Sequence, residues 1–108
     1  MEPSQKDAVQ SIRIESKADK TVVIPQDNLV NNISIELCTI LDSLINSGQL
    51  SIQLDLSNVN QIDAVAISGI ALLHQILTQK GTLRFSHMNK TIEKTLFIFF
   101  KDCFNEKN

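Results

Sequence analysis

Apolar residues along this chain recur at two periods, and the switch between them lays out its elements. Ile12 and Ile14 alternate with Ser11 and Arg13 in the stretch from Val9 to Ile14, which reads as a short strand. Lys17, Ala18, Asp19 and Lys20 form a polar turn. Thr21 to Ile24 is β-branched throughout, favouring a second strand, and Pro25 ends it by removing a donor. These two strands are expected to pair as a hairpin. A polar loop from Gln26 to Asn32, built around Leu29 and Val30, offers Asn31 or Asn32 as a helix N-cap. Ile33, Leu37, Ile40, Leu41, Leu44 and Ile45 then fall at helical spacing, with Gly48 suited to the left-handed position after the helix.

Period two returns where Ile52, Leu54 and Leu56 alternate with Gln53, Asp55 and Ser57. Asp63 is placed to cap a second helix from Ala64 to about Lys80, which Gly81 stops as a C-terminal cap. Leu83 and Phe85 alternate with Arg84 and Ser86 in a further strand. A last helix beginning near Lys90 carries Ile92, Leu96, Phe99 and Cys103 on one stripe. The order is β-β-α-β-α-β-α. An opening hairpin followed by two right-handed strand–helix–strand crossovers predicts a mixed sheet in a single α/β domain. The half-polar strands place the helices mainly on one face. The domain is expected to cover residues 9–104, with residues 1–8 and 105–108 as flexible ends.

Composition narrows the function. With 43% hydrophobic residues the chain is globular, and a formal net charge of −2 supplies no bulk basic surface for nucleic acid. No Trp or Tyr is present to stack bases. The longest apolar stretch, about Ala64 to Leu77, is broken by Ser68, Gly69, His74 and Gln75 and is too short for direct membrane insertion. The start of the chain lacks the basic-then-apolar pattern of a signal peptide, so a cytoplasmic protein is expected. Cys38 and Cys103 read as reduced thiols packed as small hydrophobes.

Candidate chemistry is sparse. Neither His74 nor His87 has a Cys, Asp or Glu at metal-ligand spacing, and three glycines cannot build a nucleotide-cradling loop. No G-x-S-x-G elbow occurs. Asp55 and Asp63 stand out among the carboxylates, Asp63 first as a helix cap. The expectation is a non-enzyme with no cofactor and no metal. The second helix is the conspicuous element. Ala66, Ile70, Leu73 and Leu77 make a core stripe, yet Ala64, Ser68, Ala71, Leu72 and Gln75 fall away from it with no charge among them. That second surface is either covered or kept open for a partner. Phe97, Phe99, Phe100 and Phe104 crowd the last helix. Phe99 fits its core stripe, and the others serve the core or a second contact, so the chain is expected to be a monomer or a weak dimer.

The stretch I-Q-L-D-L-S-N-V-N-Q-I-D, from Ile52 to Asp63, followed by an apolar helix, resembles the signature of STAS domains. Ala71 to Gly81, A-L-L-H-Q-I-L-T-Q-K-G, also resembles that family's second helix, and the element order matches from about Val9 to Phe104. The resemblance implies a stand-alone regulatory module of the anti-sigma factor antagonist kind. Its partner would be an anti-sigma factor or kinase-like regulator or, in another branch of the family, the ATPase of an ABC-type lipid transporter. In the family the residue after the Asp is usually a Ser or Thr that the partner kinase phosphorylates. Here that position is Ala64, which has no hydroxyl, and Asp63, Ala64, Val65, Ala66 and Ile67 replace the usual D-S-S-G-L. Ser68, one turn on and on the same face, is the displaced alternative acceptor. The family's G-E-L-D loop is replaced by Pro25 to Leu29. The expected docking surface is Asp27, Asn28, Asn60, Asp63, Ala64, Val65, Ser68 and Leu72, with Asp63 holding the loop and the others meeting the partner.

Overall fold

The computed structural model describes residues 11–101. Val9, Cys103, Phe104 and both expected flexible ends lie outside the described residues. Strands β1 (Ile12–Ser16) and β2 (Thr21–Pro25) form the expected antiparallel hairpin. Its turn is closed by the Lys17 N–H donating to the Lys20 carbonyl at 2.8 Å. Helix α1 (Asn32–Asn46), β3 (Ser51–Asp55), α2 (Ala64–Lys80), β4 (Thr82–Ser86) and α3 (Lys90–Phe100) follow. The sheet order is β1-β2-β3-β4, with β2, β3 and β4 parallel. Both crossovers step the same way along the sheet, so right-handed connections lay α1 and α2 on the same face.

Strand register explains the one-sided core. Ile12 and Val23 share a face with Ile52, Leu54 and Leu83, and all are buried against the helices. Leu37 and Leu41 of α1, Ala66, Ile70, Leu73 and Leu77 of α2, and Ile92, Leu96 and Phe100 of α3 complete the core. The opposite face carries Arg13, Glu15, Gln53 and Arg84. There the Gln53 Nε2 donates to Ser86 Oγ at 2.9 Å. Ile14 shares the core face by register yet remains 45% exposed, because β1 is the edge strand and the helix layer ends short of it.

Two end signals and one core position differ from expectation, each for a physical reason. Asn31 occupies the N-cap of α1, but its side chain makes no capping bond. Its backbone lies at φ 56, outside the ordinary L-residue regions, and its N–H is bonded instead by a distant carboxylate described below. Gly81 does not take the left-handed cap conformation. It is extended at φ −162, and a Cβ there would lie 2.0 Å from the Leu50 carbonyl oxygen, which accepts the Thr82 N–H. Gly81 is thus required by close approach, whereas Gly48 at φ 89 is the left-handed residue. It closes α1 with paired bonds from Gly48 N to Ile45 O and from Gln49 N to Leu44 O. Finally, Phe99 is not in the core. It is 56% exposed, and Phe100 is buried in its place, against Phe85 and His74. The buried stripe of α3 climbs by fours, Ile92 to Leu96 to Phe100, following one ridge of the helix.

The two glycines should respond differently to substitution. At Gly48, where nothing lies within 4 Å of an added Cβ, Ala costs about 1 kcal/mol through backbone strain, and Asn recovers part of it. At Gly81, Ala, Ser and Asn should all lose about 1–3 kcal/mol or more, because the obstacle is a backbone oxygen. Urea unfolding measures both, and a neutral Gly81→Ala would refute the close-approach explanation.

Candidate functional site

The loops that follow β2, β3 and β4 meet at one end of the sheet, and a zip of short bonds holds them together. Leu29, fully buried, pairs with the segment before α2. Its N–H donates to the Gln61 carbonyl at 2.9 Å, and its carbonyl accepts the Asp63 N–H at 2.9 Å. One residue earlier, Asn28 Oδ1 accepts the N–H groups of Asn60 and Gln61, at 2.7 and 3.1 Å. Asp27 Oδ1 in turn accepts the Asn28 N–H at 2.7 Å. On the other side, Asn89 Nδ2 donates to Asn60 Oδ1 at 2.8 Å while Asn89 Oδ1 caps α3 at Ile92 N. An amide side chain suits position 89 because one group both donates and accepts.

Asp63 is the hub. Its Oδ1 accepts the Ala66 N–H at 3.0 Å, the cap bond of α2, and the Ser34 hydroxyl at 2.6 Å. Its Oδ2 accepts the Asn31 N–H at 2.9 Å. One carboxylate therefore ties the first turns of α1 and α2 together and holds Asn31 in its positive-φ conformation. The Ser34 hydroxyl, followed by the backbone N–H groups of Ala66 and Asn31, pulls the Asp63 carboxyl below its ordinary range, because each bond favours the charged form.

Beyond Asp63 the outer face of α2 is open. Ala64 and Ser68 are exposed, Val65 is 48% exposed and Leu72 63%. Val65, Ser68, Gly69, Leu72 and Ile76 form one wall of a groove of about 400 Å³, and Cys38, Asp42 and Ile45 of α1 form the other. A Cβ on Gly69 would sit 2.2 Å from the Cys38 sulfur, so glycine is what lets the two helices approach at the groove floor. The Cys38 thiol lies 3.6 Å from the Val65 carbonyl. Burial, and then the negative charge of Asp63, push its pKa up.

The fold thus gathers the expected residues into two adjoining parts. Asp27, Asn28, Asn60 and Asp63 form the zipped end, and Ala64, Val65, Ser68 and Leu72 run along α2 beside it. Sequence reasoning missed Asn31, Ser34 and Asn89, and the α1 wall of the groove. Ser34 offered a trace: it falls in register with Leu37 and Leu41 on the buried stripe of α1, where a lone hydroxyl needs a partner. Asp55 and His87, at the ends of β3 and β4, face each other at this end of the sheet. His87 Nδ1 is 3.3 Å from Asp55 Oδ2, and no group of three or more His, Cys, Asp or Glu among the described residues is placed to hold a metal. No helix among the described residues is long and apolar enough to cross a membrane.

No protein-family profile and no curated protein matches the chain by sequence. Solved structures do match. The anti-sigma factor antagonist SpoIIAA in its unphosphorylated form superposes with a TM-score of 0.71 at 12% identity, over 90% of this chain and 87% of that one. This is the STAS fold. The phosphorylated form of SpoIIAA, the Bacillus cell fate determinant, matches equally, over 90% of this chain and 91% of that one. The protein TM1081 of Thermotoga maritima, a candidate anti-sigma factor antagonist, gives a TM-score of 0.76 at 19% identity, over 90% and 86% of the two chains. The shared STAS fold agrees with the element order and mixed sheet read from the sequence.

Ser34→Ala removes a buried hydroxyl bonded to a charge and should destabilise the domain by about 1–3 kcal/mol. The Asp63 contribution carries a defined pH dependence. Its folded pKa is depressed, so its stabilisation is fully present above the ordinary carboxylate value near 4 and is lost as pH falls through the lower folded value. Denaturant midpoints of wild type and Asp63→Ala should differ at neutral pH and converge in acid. A gap that stays constant across that range would exclude the Asp63 hub.

Proposed function

We propose that this protein is a regulatory interaction module of the anti-sigma factor antagonist kind, and not an enzyme. It docks a kinase-like or anti-sigma regulatory protein through the zipped end and the start of α2. The observation that carries this reading is the uncharged outer face of α2, where Val65 and Leu72 stand about half or more exposed directly beside loops pinned by Asp63. Solvent-facing apolar side chains on a rigid element mark an interaction surface. The likeness in fold to an antagonist solved both with and without phosphate supports the same reading.

Ala64 gives the proposal its particular character. A phosphate at a helix N-terminus is held by free N–H groups, and its charge disrupts a packed apolar interface. The Ala64 side chain is a methyl group and accepts none, so docking here is constitutive. Ser68, exposed one turn along α2, is the one hydroxyl on that stretch of the face that modification would reach.

An affinity-tag pull-down from the native cell, with mass spectrometry of partners and of Ser68, tests this. Wild type should recover a kinase-like or anti-sigma regulator with Ser68 unmodified. Ala64→Asp should lose that partner while remaining folded, since an acidic residue in the first turn suits the helix. Partner recovery undiminished by Ala64→Asp would place the docking surface elsewhere. An ABC-type ATPase as the main partner would move the protein into lipid transport, and stoichiometric phosphate on Ser68 would overturn the constitutive reading.

A further inference from the structure

The charges of this chain are segregated along its length. From Thr21 to Gln79 there is no Lys or Arg, while Asp27, Glu36, Asp42, Asp55 and Asp63 all fall in that stretch. The stretch builds β2, α1, β3 and nearly all of α2, so both walls of the groove between α1 and α2 belong to it. Ile45, Leu72 and Ile76 make the groove apolar, and Asp42 is the one charged side chain among its described lining residues. Asp42 is exposed, and among the described residues it forms no ion pair. Ile35, 57% exposed, lies two turns before Asp42 on the same side of α1 and extends the apolar surface towards the Asp63 end. The first cation along α2 is Lys80, one turn past Ile76, the last lining residue.

We propose that the groove takes a basic amphipathic helix of a partner protein, with its apolar stripe seated between α1 and α2 and a flanking Lys or Arg on Asp42. The walls set the backbone of the occupant. Both are helices whose backbone groups are bonded within the helix, so the groove offers no edge for an extended segment to pair with. An occupant must satisfy its own backbone, as a helix does. From Val65 to Ile76 the wall runs about 16 Å at 1.5 Å per residue, which is about three turns of a partner helix. Charge sets the sign. Residues 21–79 carry carboxylates without a Lys or Arg, so they repel an acidic peptide, a nucleic acid or an anionic lipid surface and draw in a basic segment. Covering Asp42 with a purely apolar partner would leave a desolvated charge unpaired, which a cationic flank avoids. The close Cys38–Gly69 approach fixes the floor, so the groove is formed before the helix arrives. The chemistry of the helix rests on the groove alone; that it belongs to a kinase-like or anti-sigma regulator rests on the docking proposed above.

Two synthetic peptides of about 14 residues test this, an amphipathic helix of leucine and lysine and its leucine and glutamate counterpart. Each is titrated into the isotope-labelled full chain and followed by NMR. The lysine peptide should shift the backbone amides of Cys38, Gly69, Leu72 and Ile76 saturably, and added salt should weaken it. The glutamate peptide should bind about tenfold more weakly or worse. Leu72→Lys and Asp42→Lys should each lower affinity for the lysine peptide severalfold. Both positions are exposed, so the spectra should remain those of a folded domain. Equal binding of the two peptides overturns the proposal, as do shifts confined to α3 or the sheet, or binding that Leu72→Lys leaves unchanged. Groove amides that move with protein concentration before any peptide is added overturn it too, because a second copy is then the occupant. Asp42→Lys leaves the start of α2 intact and so separates this proposal from the docking reading. A cellular regulator lost by Ala64→Asp but kept by Asp42→Lys refutes the groove helix and spares the docking. Lysine peptide bound in the groove with no regulator recovered does the reverse.

Discussion

The site end of this domain depends on one carboxylate accepting three hydrogen bonds. Asp63 caps α2 in the ordinary way, through the N–H three residues ahead, but it also takes the Ser34 hydroxyl and the Asn31 N–H from the start of α1. Two helix N-termini, each with unsatisfied donors and a partial positive charge, are brought side by side by a single negative charge. Without it they would repel, and Asn31 at φ 56 would carry its strain uncompensated. The loop Gln26 to Val30 is then held by two neighbouring residues, Leu29 in the backbone bridge and Asn28 across to Asn60 and Gln61.

Small residues set the shape of what lies beside that hub. Gly69 admits the Cys38 sulfur, so α1 and α2 close together at mid-length while larger side chains stand off them on the outside. The result is a groove with a rigid floor. A sheet covered on one face makes this arrangement economical: α1, α2 and α3 are all needed to bury a single layer of strand side chains, and each helix keeps a full outer face for other uses. On α2 that outer face carries no Asp, Glu, Lys or Arg before Lys80 and exposes Val65, Leu72 and Ile76, whereas on α3 the exposed Ile98 and Phe99 stand among Lys90, Glu93 and Lys94. Fold stability requires neither pattern, because the core stripes Ala66–Ile70–Leu73–Leu77 and Ile92–Leu96–Phe100 are complete without them.

Much of this was legible in the sequence where the physics is local. Helix α2 begins and ends at the residues that Asp63 and Gly81 suggested, and its buried stripe is the one its period predicts, because capping and amphipathic spacing act within a few residues. Errors arose where a choice between neighbours is settled by something distant. Phe99 and Phe100 both continue the α3 stripe to within a fraction of a turn, and Phe85 and His74 decide for Phe100. Gly81 ends α2, but the Leu50 carbonyl is its reason. Asn31 sits at the N-cap position, yet the bond it makes comes from a residue thirty-two positions away. The site was half visible for the same cause: Asp63 announced itself as a cap, while Ser34 and Asn89 acquire meaning only once loops far apart in sequence are adjacent.

The neutral residue at position 64 bears on how such a surface is controlled. A charge switch at a helix N-terminus works by adding a group that competes for the same donors as the cap. Here the Ala66 N–H is already held by Asp63, whose carboxyl stays ionised well into acid. A dianion added next to that charge would meet strong like-charge repulsion at once, so a switch at this position would act on the hub as well as on the interface. Alanine leaves the hub undisturbed and the surface permanently apolar. Under the docking proposed above, a face that no charge at position 64 turns off is regulated through occupancy, by how much of the protein is present and by what else covers Val65 and Leu72.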